Sequence, residues 1–122
     1  MGALLPTAVA TATCGGGGGE SENPQLTVSP NPINFSGQGS KKTATIQNTG
    51  NVTLKNIATA INPFEYFAPS GAFTCHELPE LTVGAACFES VECLKTGKSG
   101  LLQAWGEPPK GTSAEGFATL KC

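Results

Sequence analysis

A chain of 122 residues suits one domain and leaves little room for a second. Its seven basic side chains are all lysine and its nine acidic ones all glutamate; the net charge of −2 excludes electrostatic capture of a phosphate backbone, so no nucleic-acid partner is expected. Without Arg there is no planar fork to clamp a carboxylate or phosphate. Without Asp the usual orienter of a catalytic His is missing, and the chain has a single His. This inventory leads us to expect no enzyme, no bound metal and no cofactor.

Residues 1–24 form the first segment. Met1 to Thr13 is apolar and small-residue-rich and ends at Cys14, followed by five glycines and Glu20-Ser-Glu-Asn-Pro24. This run resembles a bacterial lipoprotein signal and its tether, which implies lipidation at Cys14. No basic residue precedes Cys14, so that reading also requires coding sequence upstream of Met1. Gly15 to Pro24 has nothing to bury, and as a flexible linker it spans about 20 Å on average. The apolar run is shorter than the roughly 20 residues of a membrane span, so the expected membrane contact is a lipid anchor alone.

Residues 25–122 read as β throughout. Leu26-Thr-Val28 alternates, Pro30 and Pro32 interrupt, and Ile33 and Phe35 continue: a first edge strand split by a kink. Lys42 to Asn48 is a second strand, with Ala44 and Ile46 on its apolar face. Thr49-Gly50-Asn51 is expected to make a tight hairpin into Val52–Ile57. Phe64, Tyr66, Phe67 and Phe73 gather four of the eight aromatics, which are expected to fill the interior. Cys87–Cys93, Leu101–Trp105 and Phe117–Cys122 are further strands, and Trp105 is expected to be buried on a face shared with Leu101 and Gln103. No window carries a helical apolar repeat. About seven strands in roughly 98 residues have the size and spacing of an immunoglobulin-like β-sandwich.

Leu26-Thr-Val-Ser-Pro30, Ile33-Asn-Phe35 and Ala44-Thr-Ile-Gln-Asn-Thr-Gly-Asn-Val-Thr-Leu54 resemble the opening strands of bacterial choice-of-anchor D domains, relatives of the Hydin-type immunoglobulin-like modules. Pro63-Phe64, Cys75, Leu81, Gly84 and Cys87 fall on later positions of that pattern. The resemblance implies a non-enzymatic module of surface or secreted proteins, and a Cys75–Cys87 disulfide. Glu89, Cys93, Lys95 and the Cys122 end depart from it. Cys93 and Cys122 depart together, which suggests a second bridge between them on neighbouring strands; two buried free thiols are the alternative. Five cysteines suggest an oxidising compartment, and the odd one is Cys14.

Other constellations are weak. No Cys-x-x-Cys occurs, and Cys75, Cys87, Cys93 and Cys122 match no zinc spacing. His76-Glu77 lacks the second His of a zincin helix, and no Gly-x-Ser-x-Gly turn is present. Glu77, Glu80, Glu89 and Glu92 read as a solvated acidic face. Asn34-Phe-Ser36 and Asn51-Val-Thr53 fit the glycosylation triplet by chance. The expected function is therefore a non-enzymatic, lipid-anchored or secreted cell-envelope module, at the outer surface or in the periplasm, that holds a protein or glycan partner. One alternative is an extracellular homo-oligomeric subunit polymerising when Ala3–Thr13 adds as a strand to a neighbour. A small secreted hydrolase comes third.

Overall fold

The computed structural model describes residues 22–122. The apolar start, Cys14 and the glycine run lie outside them. The described residues carry nine strands: β1 (Leu26–Ser29), β2 (Ile33–Asn34), β3 (Lys41–Asn48), β4 (Leu54–Asn62), β5 (Phe67–Phe73), β6 (Glu80–Leu81), β7 (Ala86–Cys93), β8 (Ser99–Glu107) and β9 (Ala114–Lys121), with a 3-10 turn at Thr74–Glu77. One sheet has the order β1-β3-β7-β5, the other β2-β9-β8-β4-β6. Every strand pair is antiparallel except β2 with β9.

Period-2 patterning decides which side of each strand is buried. Leu26 and Val28 of β1 and Ala44, Ile46 and Asn48 of β3 face inward from the first sheet. Ile61 of β4, Leu102 and Ala104 of β8, and Ala118 and Leu120 of β9 face them from the second. All of these but the polar Asn48 belong to one hydrophobic core. Phe67 is fully buried and packs against Phe35, with ring centroids 5.5 Å apart.

The split first strand divides more completely than expected. Past the two prolines the chain changes sheets, so β1 is the edge of one sheet and β2 the edge of the other. The expected hairpin at residues 49–51 is not formed, because β3 and β4 lie in different sheets. Asn48 directs that crossover. Its buried amide nitrogen donates to the carbonyls of Val52 (2.8 Å) and Leu81 (2.9 Å), and its amide oxygen accepts from the Gly50 N–H (3.1 Å). Gly50 is required there, since a Cβ would fall 2.3 Å from the Asn23 carbonyl oxygen.

Two further expectations are corrected. Trp105 is half-buried and faces outward with Leu101 and Gln103, whereas Leu102, Ala104 and Gly106 face the core. The inward side has no space for larger groups at this end of β8: a Cβ on Gly106 would meet Ile57 Cδ1 at 2.7 Å and Leu54 Cβ at 3.1 Å. Phe64 does not fill the interior either; it is 78% exposed, while Phe67 takes the core position three residues on.

Two disulfides brace the domain. Cys75, in the 3-10 turn, is bonded to Cys87 of β7. Cys93, at the end of β7, is bonded to Cys122, just beyond β9. The strands carrying this second bridge are not neighbours in one sheet, so it ties one sheet to the other.

Candidate functional site

The sequence offered an acidic cluster, a lone His and the cysteines. The structure scatters the first two. Glu77 and Glu80 are exposed, Glu92 is half-buried, and Glu89 is buried at 4% exposure. A single solvated face was therefore the wrong expectation: Glu89 shares the inward side of β7 with Cys87, Val91 and Cys93. His76 is exposed, its ring 5.2 Å from that of Phe73. Among the described residues no cluster of three His, Cys, Asp or Glu side chains is placed to hold a metal ion. Cys75, Cys87, Cys93 and Cys122 are consumed in disulfides.

Three surface features were not found from the sequence. The first is the outer face of β4, β8 and β9. Register aligns Ala60, Gln103 and Phe117 in one row, and Ala58, Trp105 and Glu115 in the next. Trp105 and Phe117 are thus diagonal neighbours, within reach for aromatic side chains. Phe117 is 56% exposed. Inward alternation of the small residues Ala104, Gly116 and Ala118 is the signal that would have revealed this face.

The second feature is a groove of about 380 Å³ running between β1 and β9, lined by Leu26 to Ser29, Asn31, Glu115, Gly116 and Phe117. On this side β9 pairs with β2 only at Leu120 and Lys121, and the Thr119 N–H is taken by the Asn31 side-chain oxygen at 3.0 Å. The rest of that edge of β9 has no strand partner among the described residues. An open strand edge beside an exposed aromatic ring can pair with extended polypeptide backbone.

A third, smaller hollow of about 250 Å³ is lined by Thr53, Lys55, Asn56, Glu80, Glu107, Pro108 and Pro109. It sits at a register shift in β4, where Asn56 adopts a positive φ of 54°. The Asn56 amide nitrogen donates to Glu107 Oε1 at 2.7 Å. Its lining combines the two prolines with polar residues that carry charges of both signs.

No family model and no curated protein matches the chain. Solved structures do. The VesB protease of Vibrio cholerae matches with a TM-score of 0.55 at 13% identity, covering 83% of this chain and 32% of that one. The secreted serine protease VesC of Vibrio cholerae matches with a TM-score of 0.46 at 15% identity, covering 83% and 22%. This chain thus spans about a third of the length of VesB. Its fold is one that occurs within a protease. That finding corrects the expectation of a non-enzymatic envelope module, and with it the strand-adding subunit. The thin inventory of catalytic residue types concerned these residues alone, and a fold found within a larger protease removes it as a ground for excluding an enzyme.

Proposed function

We propose that this chain is an immunoglobulin-like β-domain of an extracellular protease, a folded unit that works beside a catalytic one. The observation that carries this reading is the asymmetry of the VesB match: nearly the whole domain on one side, about a third of a protease on the other. The sheet orders support the immunoglobulin-like description. In such sandwiches strands A, B, E and D form one sheet and C, F and G the other. Here β1-β3-β7-β5 and β9-β8-β4 take those places, with β2 as a strand that crosses to the second sheet. The choice-of-anchor D resemblance of residues 26–54 points to the same class of module. Two disulfides in one small domain favour an oxidising, extracellular setting.

Antibodies against the domain provide the test. From the medium or envelope of cells that make it, they should recover casein-cleaving activity, in the domain's own polypeptide or in one bound to it. Recovery of intact domain with no cleavage, from extracts where added protease is still detected, would remove the protease reading.

A further inference from the structure

Glu89 and Asn48 are the buried polar side chains of the described core, and Glu89 is the ionisable one. Alternation along β7 turns it inward between Cys87 and Val91. Beside it lie Ala44 of β3, fully buried, and Phe73 of β5, half-buried. From the opposite sheet, Thr59 of β4 hydrogen-bonds its carboxyl. Oxygen Oε1 has no partner. A buried carboxylate with an unsatisfied oxygen is costly, whereas the neutral acid is tolerated.

We propose that Glu89 is a pH-sensitive latch between the two sheets: with its proton it stays enclosed between β7 and β4 beside Thr59, and on losing that proton its buried, partnerless Oε1 draws water in and loosens the β5 edge. The location follows from the ladder. Strand β5 is an edge strand, and its register with β7 breaks between Pro69, opposite Val91, and Phe73, opposite Glu89. This is where water can reach an ionised Glu89 with fewest paired strand groups lost.

Few charges oppose this behaviour. Strand β3 contributes Lys41 and Lys42, β4 contributes Lys55, and the 3-10 turn contributes His76 and Glu77; all are exposed. Strand β5 contributes none, and Glu92 of β7 lies on the outward side, half-buried. Burial raises the Glu89 carboxyl above its ordinary value of 4.5, and the Thr59 bond lowers it by less. The folded protein therefore holds this proton more tightly than the unfolded chain. The contribution of Glu89 to stability is greatest in acid and falls as pH rises from 4.5 through the raised value. Within that window each pH unit lowers the folding equilibrium constant by up to about tenfold.

Thermal unfolding of the full chain and of E89Q, between about pH 4 and 9, tests the latch. Gln is neutral at every pH and of nearly the same shape. Wild type is expected to lose several degrees of melting temperature relative to E89Q as pH rises. Hydrogen exchange in β5 should accelerate over the same range beyond its intrinsic pH dependence, in wild type only. Parallel curves for the two proteins would overturn the proposal. Should E89Q fail to fold, NMR titration of the nine glutamate Cδ signals in wild type decides: one midpoint above 4.5 supports the latch, and none overturns it.

Discussion

At the scale of single residues, Asn48 does more than its size suggests. It places two amide donors and one acceptor where the chain crosses between sheets, and its own backbone pairs with Ala85 and Gly84 at 3.0 Å each. Asn48→Ala leaves the carbonyls of Val52 and Leu81 and the Gly50 N–H without their side-chain partner, and is expected to cost about 2–4 kcal/mol by chemical denaturation. Asn48→Asp keeps an acceptor for Gly50 but removes both donors and buries a charge. It should lose at least as much as Ala does. Losses below about 1 kcal/mol for both would mean the crossover is held by other contacts. Nothing in the composition distinguishes this Asn from the exposed ones; only its place in an apolar alternation, two residues after Ile46, marks it.

The strands themselves were largely legible. Alternation of Leu26 and Val28, and of Ala44 and Ile46, reports a half-buried strand directly, and the structure keeps both faces as read. What alternation does not report is the partner. The Thr49-Gly50-Asn51 turn looks local, yet β4 pairs with β8 and β6, and the turn's N–H groups donate to the Gln25 carbonyl, the Asn48 side chain and the Asn23 carbonyl rather than to a hairpin ladder. Strand β8 failed for another reason: either parity of Leu101-Leu-Gln-Ala-Trp105 has an apolar member, and only the absence of space beside Gly106 selects the inward one. The surface features were hidden for the same cause, since they depend on which strands become neighbours. One element-level bond can be tested alone. Cys75–Cys87 closes a loop with a sequence separation of 12 and pins the 3-10 turn to β7. Replacing both cysteines by Ala is expected to lower stability by about 3 kcal/mol, measured against the wild type under oxidising conditions. An unchanged denaturation midpoint would show that the turn is held by packing alone.

At the scale of the whole molecule, the two sheets share one core and one covalent cross-tie, from Cys93 to Cys122. This arrangement sets a path for mechanical load. Tension applied between a point before β7 and Cys122 passes from Cys93 to Cys122 through the sulfurs and bypasses the segment between them, which contains all of β8 and β9. Those strands are shielded from the pull, and the load enters the first sheet at β7, an inner strand flanked by β3 and β5. Single-molecule stretching should therefore show two contour lengths. With the bridge intact, extension omits the enclosed segment; with reductant, the same molecule gains about 100 Å from the stretch with sequence separation 29, and about 40 Å more from the Cys75–Cys87 loop when the pull begins before Cys75. Equal lengths under both conditions would mean that the bridge does not carry the load. A domain built this way yields a defined reserve of length only when its surroundings turn reducing.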